Sequence, residues 1–322
     1  MKKLTIKLSH LKVWDGNYLQ QSQGGLGFWD GNKFEIMNDV KECDYWVVHE
    51  GISEIETAYC SKKNCIIIIG EEKSKKDYSP KYLGQFGAVI TTRNDLVHPN
   101  IIQWHYICPW HILKSYDILT TSTAILKQNN LSTVCSSETA VDGHKKRYAF
   151  INKMIGHFKD KIHIYGRGFN YIKDKYDGLS PYKYSIAIEH SVHHNYWTEK
   201  IIDCYLSLTM PVYYGCPEIH DYFPKESMIL IDIDDYKKSI LTIEKAIDEN
   251  YYERYYDYIV HSKNLILNKY QIFPALLQIL KQENYRFTNS KGTTIVKPER
   301  YFQKNFMLKR IKHKINRITG RD

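Results

Sequence analysis

Between residues 196 and 203 the chain reads Tyr-Trp-Thr-Glu-Lys-Ile-Ile-Asp, a polar cluster running straight into an apolar-periodic stretch of Ile201, Ile202, Tyr205 and Leu206. That pattern predicts a helix N-terminus following a loop. Such a terminus presents unpaired N–H groups and partial positive charge, which suits a phosphate-bearing ligand. Lys200 adds a full cation there, and Glu199 could accept hydrogen bonds from ligand hydroxyls. Taken alone, the stretch reads better as a capping box with a surface lysine.

Other residues able to do chemistry lie further off in sequence. Arg147 sits in the basic run Gly143-His-Lys-Lys-Arg-Tyr-Ala-Phe150, either on an anion-binding helix or on a solvated basic face. Gly70-Glu71-Glu72 follows the apolar run Asn64–Ile69, and a carboxylate at the C-terminal end of a strand is well placed beside a cleft. The same Glu71 opens the charged run Glu-Glu-Lys-Ser-Lys-Lys-Asp, ordinarily a solvated loop. His190, His193 and His194 are close together, but no nearby carboxylate or cysteine completes a metal set, so no metal is expected.

The elements that must position these groups alternate. Tyr45–Val48, Asn64–Ile69 and Gly87–Thr91 are short, β-branched and bounded by turn or charged residues, as buried parallel strands are. A second set follows at Lys161–Tyr165, Tyr184–Ile188, Met210–Tyr214 and Met228–Asp232. Thr120–Leu131 is polar and reads as the connection between the sets. Glu244–Leu280 reads as two or three helices. Two α/β sheets in tandem are expected, a pattern that also fits binding proteins and some kinases.

A chain of 322 residues suits two domains. Its 43% hydrophobic and 25% charged residues are those of a globular protein. The 27 tyrosines could stack on sugars or bases, or simply fill the core. A net charge of +9 suits anionic partners in general. Seven scattered cysteines (43, 60, 65, 108, 135, 204 and 216) form no paired spacing and read as free thiols of a reducing compartment. The opening MKKLTIKLSHLKVWDG alternates polar and apolar residues, so it predicts a first strand and not a signal peptide. No apolar run is long enough to span a bilayer.

Four blocks in order add a further signal. Glu189-His-Ser, Tyr196-Trp-Thr-Glu-Lys200, Pro211-Val-Tyr-Tyr-Gly-Cys-Pro217 and Tyr222-Phe-Pro224 together resemble the donor-binding signature of glycosyltransferase family 10, the α1,3/1,4-fucosyltransferases. The resemblance runs from about Val134 to Tyr270 and is faint before it. It implies a GT-B fold, two Rossmann-like α/β domains facing across a cleft, and transfer from a GDP-sugar, usually GDP-fucose, with inversion and without a metal or other cofactor. The domains expected are an acceptor-side domain over 1–125, a donor-binding domain over 126–283 and a basic tail over 284–322.

Carried over by resemblance, Tyr196, Glu199 and Lys200 line the donor site, with Glu189, His190, Ser191, Thr198, Tyr214 and Gly215 around them. Lys200 would neutralise the diphosphate, Arg147 would clamp it, and Glu199 would face the ribose or the positive charge developing on the sugar. Fixed positive groups stabilise a leaving group that gains charge in the transition state. The resemblance places the general base at a Gly-Glu, hence Glu71, with Glu72 a neighbouring rival. Trp29, in Phe28-Trp-Asp-Gly-Asn32, corresponds to an aromatic acceptor-side loop, or fills core.

Two features depart from the family pattern or imitate another. His190 stands where the family has Asn, bulkier and able to carry charge, which opens the identity of the sugar. Asp232-Ile-Asp234-Asp235 imitates the metal-binding Asp-x-Asp of GT-A enzymes and is read as a structural turn.

In the tail, Leu308, Ile311, Ile315 and Ile318 form an apolar stripe among lysines and arginines, the pattern of a helix lying on anionic lipid or docked on the protein body. The function expected is fucosyl transfer to an oligosaccharide or lipid-linked saccharide in bacterial surface polysaccharide or lipopolysaccharide synthesis. The expected location is the cytoplasm, or peripherally the inner face of the cytoplasmic membrane. The alternatives are the same fold with another nucleotide sugar, or a non-catalytic carbohydrate- or nucleic-acid-binding protein. The basic residues carry no RNA-binding motif, so no nucleic-acid partner is expected.

Overall fold

The computed structural model describes residues 3–11, 18–37, 40–73, 75–122, 124–282, 288 and 290–302. Eight strands come first: β1 (Thr5–His10), β2 (Phe28–Trp29), β3 (Asn32–Ile36), β4 (Tyr45–His49), β5 (Glu56–Cys60), β6 (Cys65–Ile69), β7 (Ala88–Thr91) and β8 (Ile101–Gln103). All but β5 join one seven-stranded sheet in the order β2-β3-β1-β4-β6-β7-β8. From β3 to β8 the pairings are parallel. Every residue of β4 and β6 is buried, which is why these strands read as unbroken apolar runs rather than alternating ones. Burying each isoleucine of Ile66–Ile69 contributes about 1.5–3 kcal/mol.

The second sheet holds β9 (Asn129–Val134), β10 (Ile162–Tyr165), β11 (Tyr182–Ile188), β12 (Met210–Tyr214) and β13 (Ile229–Leu230), in the order β10-β9-β11-β12-β13 and parallel throughout. The helices are α1 (Pro80–Leu83), α2 (Tyr116–Thr121), α3 (Asp142–Phe158), α4 (Glu199–Leu206), α5 (Tyr236–Asp248), α6 (Tyr251–Arg254), α7 (Tyr256–Leu265) and α8 (Ile272–Lys281). Helix α3 links β9 to β10 and α4 links β11 to β12, the crossovers parallel strands require. The two-sheet α/β architecture expected from the sequence is therefore present.

By backbone contacts the chain divides into one unit of 1–15, 32–103 and 286–322, and another of 16–31 and 104–285. The boundary read at 125/126 falls inside the second unit, because the supposed polar connection is occupied at its two ends by α2 and β9. The segment read as tail contains a strand, β14 (Gly292–Val296), paired antiparallel with β5 in the first unit. The apolar stripe over 308–318 lies outside the described residues.

The tyrosines mostly fill core. Tyr184, Tyr205 and Tyr213 are buried in the second unit, and Tyr222 and Tyr270 pack edge-on against Trp197. Trp29 packs face-to-face on Phe273, with ring centroids 6.2 Å apart, and edge-on against Tyr116 at 5.3 Å. Those contacts match its core-filling alternative. Among the described residues no helix is long and apolar enough to cross a membrane.

Candidate donor site at the carboxyl ends of the second sheet

The loops leaving β9, β11 and β12 lie at one edge of a parallel sheet, where the strand carboxyl ends of α/β folds present their chemistry. Each brings part of the cluster expected from the sequence. Glu189 follows β11 directly, and its carboxylate is fully buried. Thr198 caps α4, its hydroxyl accepting from Lys200 N–H at 3.4 Å. Its own N–H and hydroxyl both donate to Glu189 Oε1, at 2.8 and 2.9 Å. The capping reading and the functional one are thus compatible: one threonine ends the helix and fixes a buried carboxylate.

Lys200 closes the cluster. Its Nζ lies 2.9 Å from Thr198 Oγ1, 3.0 Å from Glu189 Oε2 and 3.2 Å from Glu199 Oε1. An ammonium has three donors, and each finds an oxygen here. Burial disfavours charge on Lys200, but the two glutamates outweigh it and hold its pKa above the usual lysine value. Burial likewise pushes Glu189 up, against the pull of Lys200. Glu199 goes the other way: burial opposes its charge, yet Lys200, Lys175 and His111 together hold it well below the ordinary carboxylate range.

Arg147 enters from α3. It is buried, its Nη2 lies 3.2 Å from Ser136 Oγ in the loop after β9, and its Nε has no hydrogen-bond partner. Its charge reaches Lys200 and disfavours protonation there. A buried guanidinium with an unused donor, its charge opposing that of the partly buried Lys200, is an arrangement that suits an anion. The Gly166-Arg167-Gly168 loop lies alongside, Ser137 N–H donating to Arg167 O at 2.9 Å.

Helix α3 can bring Arg147 here only because residue 143 has no side chain. A Cβ on Gly143 would lie 1.7 Å from the carbonyl oxygen of His190. Gly143→Ala is therefore expected to cost about 1–3 kcal/mol, since a backbone oxygen cannot turn aside as a side chain can. Urea unfolding measures the loss, and weaker nucleotide binding should accompany it. Gly215, after β12, is equally constrained: its Cβ would meet Tyr213 Oη at 2.4 Å and Glu189 Cγ at 2.6 Å.

His190 and Ser191 are half-buried, and Tyr214 is half-buried beside Asp234 and Lys146. Tyr196 is buried, stacked on Tyr106, with its hydroxyl 3.2 Å from His190 Nε2. His190 also meets His144 of α3 edge-on at 5.1 Å. Among the described residues no group of three metal-ligating side chains gathers. The Asp-x-Asp imitation is a helix start: Asp232 accepts from Asp234 N–H, and Asp235 caps α5.

Several residues of the cluster were not among those expected from the sequence. Lys175 lies 3.7 Å from Glu199 Oε1 and 3.2 Å from Asp203 Oδ2, and Asp203 Oδ1 accepts from His111 N–H at 2.9 Å. Asp203 stands one turn along α4 from Glu199, so a pattern search could have found it. Nothing local marks Lys175 or His111.

In the first unit, Glu71 follows the end of β6. Its N–H donates to buried Glu50 Oε1 at 3.1 Å, as does that of Gly70 at 2.6 Å. Its carbonyl accepts from Arg93 Nη1 at 3.0 Å. Glu50 Oε2 accepts from Tyr78 Oη at 2.6 Å; burial, then the charge of Glu50, pushes that phenol far up. The Glu71 carboxylate is partly exposed and lies 3.6 Å from Lys75 Nζ. Glu72 instead closes a turn, its carbonyl accepting from the N–H groups of Lys75 and Lys76.

Comparison with known proteins follows the same division. Residues 126–287 match the family model described as glycosyltransferase family 10 (fucosyltransferase), C-terminal, half of the chain. An alpha-(1,3)-fucosyltransferase FucT of Helicobacter pylori is 32% identical over 123 residues, covering 38% of this chain and 22% of that protein. The rat 4-galactosyl-N-acetylglucosaminide 3-alpha-L-fucosyltransferase 9 is 27% identical over 146 residues, 42% of this chain and 39% of that one. The chain thus matches well under half the length of these relatives. A crystal structure of an alpha1,3-fucosyltransferase with GDP-fucose aligns over 84% of this chain and 93% of its own, at 17% identity and a TM-score of 0.47. With half its length matched by the family model, the chain belongs to glycosyltransferase family 10.

Proposed function

We propose that the protein transfers L-fucose from GDP-fucose to a saccharide hydroxyl, forming an α1,3-type linkage with inversion at the anomeric carbon. The observation that carries this reading is the pair of cations, buried Arg147 and partly buried Lys200, whose charges oppose one another, with Glu189 and Glu199 fixed beside Lys200 at the start of α4. Arg147, with a donor to spare, binds the diphosphate directly. Lys200, its donors engaged, supplies a fixed charge. Both gain in worth as the bond from the sugar to GDP breaks and charge collects on the leaving phosphate.

Glu199, kept ionised, faces the ribose or the positive charge growing on the fucosyl ring. Tyr196 acts through the ring of His190, which borders the transferred sugar. Glu71 takes the proton of the attacking hydroxyl, and Glu50 and Arg93 fix its backbone. A second reading keeps this machinery with another nucleotide sugar; the observation favouring it is His190, whose ring differs in shape and charge from the family's Asn. We place the acceptor in bacterial surface polysaccharide or lipopolysaccharide, with the basic tail holding the enzyme on anionic lipid at the inner face of the membrane, on the charge pattern of 300–321.

Thermal stabilisation by a panel of nucleotides tests the donor. Stabilisation by GDP and GDP-fucose but not by UDP or CMP is the expected result. Equal or stronger stabilisation by a different GDP-sugar would favour the second reading, and no response to any nucleotide would overturn both. Transfer of labelled fucose to a galactosyl-N-acetylglucosaminide, the acceptor in the name of the rat relative, tests the linkage class.

A further inference from the structure

The donor-side charges do not end at Glu199. They continue as an alternating row, Glu189, Lys200, Glu199, Lys175, Asp203, with neighbours 3.0, 3.2, 3.7 and 3.2 Å apart. Glu189 follows a strand, Lys200, Glu199 and Asp203 stand on α4, and Lys175 comes from the turn before β11. Asp203 is itself anchored by the His111 N–H at 2.9 Å, and its carboxylate is 2% exposed. A lysine tying a partly buried carboxylate to a deeply buried, backbone-anchored one can move little.

From this geometry we infer that Lys175 is a positioning residue for Glu199, holding its carboxylate toward the donor and opposing the pull of Lys200 from the other side. The inference rests on the donor-site reading above. Lys200 alone would draw Glu199 back onto the Thr198 cap, where the ammonium already serves two oxygens. Lys175, 3.7 Å from the same Oε1, supplies the counter-pull. Asp203 sets where Lys175 can stand. The opposite charge also keeps Glu199 ionised in acid.

The charged and titratable groups facing this row are Glu189 beyond β11, Lys200 and Asp203 of α4, Cys108 and His111 of the 105–114 segment, and Arg147 of α3. Removing Lys175 raises the pKa of Glu199, so the acid limb moves to higher pH. Removing Glu199 removes its own part of the acid limb and leaves the part due to Glu189, whose pKa burial raises.

The test is GDP-fucose affinity, by calorimetry across the acid range, in the wild type, Lys175→Met, Lys175→Arg, Glu199→Gln and the Lys175→Met/Glu199→Gln double variant. Lys175→Met is expected to move the acid limb up by about one pH unit, the lower end of what one adjacent opposite charge does. Below the wild-type limb, at pH under the ordinary carboxylate range, that weakens binding by up to about tenfold. Lys175→Arg should keep the wild-type limb. In the Glu199→Gln background, Lys175→Met should have no further effect on affinity, because its influence passes through Glu199.

An unmoved acid limb in Lys175→Met, or an equal loss of affinity with and without Glu199, would overturn the inference and leave Lys175 a structural ion pair. Should Lys175→Met fail to fold with Asp203 stranded, Lys175→Met/Asp203→Asn removes both buried charges and answers the same question. Wild-type protein that binds no GDP-fucose would instead overturn the donor reading on which this rests.

Discussion

Glu71→Gln is expected to lower fucosyl transfer by about 10²–10⁴-fold, the usual contribution of a positioned general base, while leaving GDP-fucose affinity unchanged. The amide keeps the shape of the carboxylate and loses its proton affinity. Single-turnover transfer measured beside calorimetric binding separates the two effects. Glu72→Gln is the control and should transfer at close to the wild-type rate. Sequence left these neighbours as rivals; the backbone distinguishes them. Residue 71 is held at its N–H by buried Glu50 and at its carbonyl by buried Arg93, whereas residue 72 closes an ordinary turn. Two buried charges on the backbone of one residue are a costly way to fix a loop, and a reacting group would justify it. Equal losses in the two variants, or donor binding lost with Glu71→Gln, would remove Glu71 from the reaction.

Lys200→Met is expected to remove nucleotide-induced stabilisation and to lower stability by about 3–5 kcal/mol, because breaking a buried pair leaves a charge without compensation. The stranded group is Glu189, fully buried and 3.0 Å from the lysine it would lose. Lys200→Met alone therefore confounds binding with folding. Adding Glu189→Gln removes the stranded charge, and the double variant should recover most of the stability without recovering nucleotide binding. Urea unfolding and a GDP titration on both variants check the pair. Recovery of binding in the double variant would mean that Lys200 serves only to neutralise Glu189.

Legibility in the sequence followed the locality of each feature. Buried parallel strands announce themselves, so Cys65–Ile69 and Met210–Tyr214 appear where their composition put them. The helix start at Thr198 was visible because caps use few residue types in a fixed order. Glu189 and Lys200 were found as members of adjoining blocks, though nothing showed that they touch.

Lys175 and His111 were missed because each reaches the site from a loop, with no periodicity to mark it. Glu50 was missed for another reason: it holds a left-handed φ of 60° at a strand end, and its work is done by accepting backbone N–H groups, which any glutamate could do. Trp29 was ambiguous because a large aromatic beside a turn serves a ligand or a core equally well, and its packing partners, Phe273 and Tyr116, lie far along the chain.

Strand β14 bears on how the molecule can be dissected. It pairs with β5, and its Val296 is wholly buried among Cys43, Trp46, Val48 and Cys60 of the first unit. A stop codon placed after residue 285 would not trim an appendage; it would take a plug from the first unit's core. Both units are assembled from separated stretches, and the first can be recovered as a fragment only by rejoining 286–302 to it.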